Sequence, residues 1–151
     1  MKRPLSDLRP DLALQLRGLD LIVFDGTCVL CSYFYRLVLR FDRAAHFRFA
    51  TARSPLGQAL YAALDLPKEE FETNLVITSD HIFGELDSVA ATCRRLGGLW
   101  TLGAVLHLLP QFIKGPIYRL IAHNRFRLFG RFDTCMVPTP EDRARFIERG
   151  L

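Results

Sequence analysis

Residues 21–31 read LIVFDGTCVLC, and the organisation of the chain follows from how this stretch divides. Leu21, Ile22, Val23 and Phe24 form an apolar run between Gly18 and Gly26, too short for a helix, which predicts a buried strand. Asp25-Gly26-Thr27 then makes a turn in which Asp25 or Thr27 can cap a helix. From Leu30 the apolar residues Phe34, Leu37, Val38 and Phe41 recur at the spacing of one helical face, predicting a helix over residues 30–42. Cys28 and Cys31 therefore stand at a strand-to-helix turn. The amides and dipole of a helix start stabilise negative charge, so Cys28 there ionises more readily than an ordinary thiol. Cys31 lies one turn on, on the same face, placed to attack a mixed disulfide at Cys28 and release a reduced substrate, and the Cys28 sulfur is expected to stand open to the incoming partner. C-x-x-C beside a βα unit is the sequence sign of such dithiol chemistry.

Length and composition bound the rest. At 151 residues the length predicts one domain with a real core. Half of the residues are hydrophobic and 24% are charged, ordinary for a soluble globular protein. The net charge of +4 is modest, the arginines are spread, and there is no basic tail, so nucleic-acid binding is not expected. The first 20 residues are charged throughout and lack a secretory apolar core, which points to the cytoplasm. Thiols stay reduced there, so four cysteines argue for catalysis or metal rather than structural bridges. The longest apolar stretch, residues 99–109, is too short to span a membrane and is closed by Pro110, so no transmembrane segment is expected.

Along the chain, residues 1–18 read as an N-terminal lead-in, with Pro10 breaking any long helix, and residues 19–151 as one domain. Residues 46–51 alternate aromatic and polar groups and form a second strand, parallel to the first across the intervening helix. Ser54 caps a helix with Pro55 at its first position, running to about Leu64. A polar connection over residues 65–72 leads to a third strand over 74–78, which Ser79-Asp80-His81 turns into a fourth over 82–85. Asp87 or Ser88 caps a helix carrying Val89, Cys93 and Leu96 and ending at Gly97-Gly98. The order β-α-β-α-β-β-α is that of a minimal thioredoxin-like α/β domain with a sheet of about four strands. Beyond it, an apolar helix over 99–109 and a helix opened by Pro116, with Ile117, Leu120, Ile121 and Leu128 on one face and Gly130 at its end, are expected to pack together. They begin a C-terminal helical cap over about 99–151. Thr139-Pro140-Glu141-Asp142 is a helix start, with a short final helix over 144–149.

The sequence also resembles the DCC family of thiol-disulfide oxidoreductases, named for a D-x-x-C-x-x-C motif that Asp25, Cys28 and Cys31 match. RRLGGLW (94–100), Pro110, YRLIAHNRFRLFGR (118–131) and Cys135 extend the likeness over residues 21–147. The resemblance implies a thioredoxin-like fold and redox activity. Relatives often carry S-D-A before the LGG helix, where this chain has Leu86-Asp87-Ser88 and keeps only the aspartate.

Several candidates have two readings. A zinc half-site at Cys28 and Cys31 lacks a second ligand pair, since Cys93 and Cys135 are single cysteines. Asp25 is either the acceptor of the Cys31 proton or an ordinary turn aspartate; its charge raises a thiol pKa, so its use lies in proton transfer. Cys93 faces the core, and Cys135 is either a third redox thiol or a packed loop residue. Arg119, Arg125, Arg127 and Arg131, among Tyr118, Phe126 and Phe129, read as a solvated helix face in preference to a site for an acidic partner or anionic lipid. The four histidines show no ligand spacing. FDGT resembles part of a haloacid dehalogenase motif, but neither Val23 nor Thr27 supplies the second carboxylate. A cis-proline usually precedes the third strand of thioredoxin-like enzymes, and here Glu72-Thr73-Asn74 stands there instead. The sequence therefore predicts a thiol-disulfide oxidoreductase without cofactor or metal, with Cys28 attacking, Cys31 resolving and Asp25 accepting a proton, acting on a disulfide-containing protein or small molecule. The alternative is a non-catalytic module that binds a partner through its basic, aromatic C-terminal helices.

Overall fold

In the structure, a computed structural model describing residues 1–67, 71, 73–133 and 138–147, the run 21–24 is wholly buried. It lies in β2 (Asp20–Phe24), which follows β1 (Lys2–Pro4), a 3₁₀ turn (Leu5–Asp7) and α1 (Pro10–Leu16). After β2 come α2 (Val29–Phe41), β3 (Phe47–Thr51), α3 (Pro55–Ala63), β4 (Leu75–Thr78), β5 (His81–Gly84) and α4 (Leu86–Leu96). A 3₁₀ helix (Gly98–Leu108), α5 (Gln111–Phe129) and α6 (Pro140–Arg143) complete the described elements. The sheet order is β1-β5-β4-β2-β3, with β3 parallel to β2 and β4 antiparallel to it on the other side. This mixed α/β arrangement is that of a thioredoxin-like fold, with the expected strands as β2 to β5 and β1 added antiparallel along β5.

Burial on both faces explains why β2 is apolar throughout rather than alternating. Leu21 and Val23 face one side with Ala50, Leu75, Ile77 and Ile82, covered by Leu12 and Leu16 of α1 and Leu56, Leu60 and Tyr61 of α3. Ile22 and Phe24 face the other with Phe47, Phe49, Val76 and Phe83, covered by Tyr35 and Val38 of α2, Ala91 of α4, and Phe146. The β4–β5 turn is a two-residue loop in which Ser79 and Asp80 both have positive φ, 52° and 58°, the geometry that suits the twist of a hairpin. Ser54 caps α3 as expected, accepting a hydrogen bond from the Gly57 amide at 3.2 Å.

Four expectations are corrected. The N-terminal segment is part of the core: Leu5, Leu8, Leu12 and Leu16 are buried in it. α4 begins at Leu86 after Glu85, whose φ is 58°; Ser88 Oγ instead donates to Glu85 O at 2.6 Å, and Asp87 accepts from Lys114 Nζ at 2.6 Å. α5 starts at Gln111 with Pro116 inside it, so Pro110 and not Pro116 marks the boundary; Gly130 ends it at φ 87°. Finally, the last described helix is α6, which ends before Ala144, and residues 144–147 are not helical. Residues 145–147 instead extend along the free edge of β3, where Phe49 N donates to Arg145 O at 3.0 Å and Ile147 N to Phe49 O at 3.1 Å. Phe146 thereby enters an aromatic cluster with Phe24, Tyr35 and Phe49, a burial that contributes about 1.5–3 kcal/mol. Cys135, Glu72, and the ends of the expected connection (68–70) and final helix (148–149) lie outside the described residues.

The 3₁₀ helix packs along α4, whereas α5 lies against α2 and α4. Its inner side is set by Trp100, stacked at an angle on Phe41 with centroids 4.7 Å apart, and by Gly103. A Cβ at Gly103 would lie 2.7 Å from Cys93 Sγ, so only glycine allows this approach. Gly103→Ala is expected to cost about 1–3 kcal/mol in urea unfolding, and Cys93→Ala in the same chain to recover most of that loss; a Gly103→Ala penalty independent of Cys93 contradicts the packing.

Candidate active site

The turn after β2 is set by Asp25. Its Oδ1 accepts hydrogen bonds from Thr27 N at 3.0 Å and Thr27 Oγ1 at 2.8 Å, a local aspartate turn that uses the side chain on its own loop and leaves the helix cap to another residue. That residue is Cys28, the N-cap of α2, where neither Asp25 nor Thr27 takes the place expected of them. Cys28 Sγ accepts a hydrogen bond from Cys31 N at 3.3 Å. The sulfur thus occupies the position at which a helix start favours an anion.

The environment separates the two thiols. Hydrogen bonding from the Cys31 side chain, opposed by burial, and then the Cys31 amide and Arg125 charge bring Cys28 down to about 7, against a smaller upward pull from Asp25. Cys31 is driven the other way, far above an ordinary thiol, by its hydrogen bond to Cys28, burial and the neighbouring Cys28 charge. A paired low and high thiol is the arrangement in which one sulfur attacks and the other holds its proton until needed. Cys93, which the sequence assigned to the core, is buried, and burial raises its thiol.

Arg125 is the residue the sequence reading placed wrongly. Expected on a solvated face, it is 2% exposed, with Nη2 3.5 Å from Asp25 Oδ2, while Arg53 Nε stands 3.8 Å from Oδ1 of the same carboxylate. Arg119, Arg127 and Arg131 are exposed. The inner row of α5 is Lys114, Tyr118, Ala122 and Arg125. This spacing is visible in the sequence, but the apolar residues on the opposite side suggested the reverse orientation.

Access is also different from expectation. Cys28 is 0% and Cys31 6% exposed, so the first sulfur is covered where an open one was expected. The segment that follows α5 lies over it: Arg131 bridges Cys28 in antiparallel register, and Phe132 N donates to Thr27 O at 2.9 Å. Beside Cys31 a pocket of about 160 Å³ is lined by Leu30, Phe34, Asn74, Tyr118, Ile121 and Arg125. Asn74 stands where a cis-proline was expected to be missing, and its amide donates to the Tyr118 hydroxyl at 3.2 Å; its own Oδ1 is buried without a hydrogen-bond partner among the described residues. A larger cleft of about 490 Å³ between the N-terminal segment and Asp80 contains no thiol. No cluster of three or more potential metal ligands occurs among the described residues, and none of the described helices is long and apolar enough to cross a membrane.

Arg125 acts on Cys28 by charge. Arg125→Met is therefore expected to move the pH midpoint of Cys28 alkylation upward from about 7 toward that of an ordinary thiol, and to slow alkylation at pH 7 by about threefold or more. Arg125→Lys, which keeps the charge, retains most of the low midpoint; an unchanged midpoint in Arg125→Met contradicts the role.

Comparison with known proteins identifies the family. The chain is 28% identical over 126 residues to the Bacillus subtilis (strain 168) protein named uncharacterized protein YuxK, covering 83% of this chain and 92% of that one. It is 25% identical over 116 residues to the Arabidopsis thaliana DCC family protein At1g52590, chloroplastic, covering 76% and 67% respectively. No solved structure matches. The model of the DCC1-like thiol-disulfide oxidoreductases matches residues 22–131, from β2 through the dithiol to the residue that bridges Cys28, and the chain belongs to that family.

Proposed function

We propose that the protein is a thiol-disulfide oxidoreductase in which Cys28 is the attacking thiol, Cys31 the resolving thiol and Asp25 the acceptor of the Cys31 proton. The observation that carries this reading is the seat of Cys28 Sγ as the N-cap of α2, accepting from the Cys31 amide with Cys31 one turn on; the opposite shifts of the two thiols support it. The Cys28 thiolate attacks one sulfur of a substrate disulfide, forming a mixed disulfide and expelling the other substrate sulfur as a thiolate that takes up a proton. Cys31 then gives its proton to Asp25 and attacks Cys28 Sγ. This forms the Cys28–Cys31 disulfide and releases the second substrate thiol, so the substrate gains two electrons and the protein loses two. A separate dithiol donor restores the reduced pair, and the reverse sequence oxidises a dithiol substrate. No metal or organic cofactor enters the scheme.

Two features of the site give the reaction its course. Asp25, buried between Arg125 and Arg53, sits close enough to both sulfurs to act on them electrostatically. The pocket beside Cys31 supports a docking role for the chain that flanks a substrate disulfide, with apolar walls at Leu30, Phe34 and Ile121 and the bare Asn74 oxygen to accept an N–H. Cys28 becomes available when residues 130–132, held over it by the Phe132 to Thr27 bond, lift away. A reducing compartment such as the cytoplasm suits a resting dithiol.

The test is exchange with a disulfide substrate such as insulin in the presence of a dithiol donor. Cys28→Ser is expected to abolish turnover, while Cys31→Ser stops after one attack and accumulates a mixed disulfide at Cys28, seen by mass spectrometry. The assignment would be falsified if Cys28→Ser exchanged at the wild-type rate, and a mixed disulfide on Cys31 in the Cys28→Ser protein would reverse the two roles.

A further inference from the structure

α5 is turned inside out relative to a helix of a water-exposed domain. Lys114 and Arg125 are buried, facing Asp87 and Asp25, whereas Phe112, Leu120 and Leu128 are 76%, 67% and 65% exposed. The preceding 3₁₀ helix repeats the pattern with a period of three. Leu99, Leu102, Val105 and Leu108 are 87%, 72%, 57% and 82% exposed, and side chains three apart eclipse one another in this helix type, so they form one row about 18 Å long. The row cannot turn inward, because the opposite side of the helix is committed to Phe41 through Trp100 and to Cys93 through Gly103. Apolar residues exposed singly need no explanation, but a continuous row of large ones marks a surface that is covered by something.

Charge identifies the cover. From Ser88 to Phe132 the chain has seven of its 20 lysines and arginines and none of its 16 acidic residues, so the remainder of the molecule is net acidic; of the seven, Lys114 and Arg125 are buried in ion pairs with Asp87 and Asp25 and Arg95 pairs with Asp20. Arg119 and Arg127 on α5 itself, and Arg131 just beyond it, are exposed. A protein interface ordinarily combines its apolar centre with a rim of mixed polar groups, whereas apolar side chains accompanied by cations alone match the surface of an anionic bilayer. We propose that the 3₁₀ helix and α5 dock on an anionic lipid membrane, with the leucine row and Phe112 entering the boundary between headgroups and acyl chains. Arg119 and Arg127 pair with the lipid phosphates. Attachment is peripheral and leaves the sheet and its dithiol outside the bilayer.

Co-sedimentation of the full chain with vesicles tests this, using phosphatidylcholine alone and phosphatidylcholine mixed with phosphatidylglycerol. Binding to the mixed vesicles and not to the neutral ones is expected. Leu102→Asp with Leu108→Asp should weaken it by at least about tenfold through lost apolar insertion, and Arg119→Glu with Arg127→Glu by at least about tenfold through lost charge. All four positions are exposed, and circular dichroism checks that each variant is folded. Equal binding to neutral vesicles, no binding to either, or binding unaffected by the leucine substitutions overturns the proposal. So does a dimer in sedimentation equilibrium that Leu102→Asp with Leu108→Asp makes monomeric, since a second copy then covers the row.

Discussion

A hydrogen bond from the Cys31 amide to Cys28 Sγ seats that sulfur at the head of α2, and the arrangement of the site follows from this placement. A sulfur can serve as a helix N-cap only if the strand before it ends at the right point and the turn between them satisfies itself. β2 meets the first condition by running buried inside the sheet, between β4 and β3. Asp25 meets the second by closing the turn onto Thr27. With the loop provided for, the start of α2 is left to the cysteine, and the electrostatic benefit of a helix start falls on the one atom that gains from being an anion.

The same constraint explains the polar inner face of α5. Asp25 is fully buried, and a buried carboxylate requires a partner. Arg125 supplies it from α5, and Lys114 does the same for Asp87 three turns earlier. Two buried ion pairs thus seat α5 against the domain where an apolar seam would be usual. Such pairs add little net stability, because desolvation offsets attraction, but they penalise every other seating that would leave a charge unpaired. The orientation they impose also decides which residues face outward, so the apolar surface of α5 and the charge around the dithiol have one cause.

Sequence reading recovered the parts governed by local rules. The apolar run at residues 21–24, the Ser54-Pro55 helix start, the Ser79-Asp80 turn and the Gly130 stop each carry their own chemistry, and the elements they bound lie where that chemistry puts them. The dithiol and its place at a strand-to-helix turn were legible for the same reason. What failed depended on long-range contacts. Leu5, Leu8, Leu12 and Leu16 read as a lead-in because nothing nearby in sequence shows that they cover β2. Arg125 read as solvated because its partner is 100 residues away. The exposure of Cys28 was misjudged because Arg131 and Phe132 return over it from the far end of α5. The row from Leu99 to Leu108 looked apolar all round at a helical period of 3.6, and only the tighter winding of the 3₁₀ helix divides it into inner and outer sides.

The charge on Cys28 is the quantity on which this account stands, and it can be read without a substrate. Thiolate absorbance at 240 nm, followed through a pH titration of the reduced protein with the Cys28→Ser curve subtracted, isolates that sulfur. The account predicts one transition with a midpoint near 7. A midpoint at the ordinary thiol value near 9, or a curve unchanged by Cys28→Ser, contradicts it.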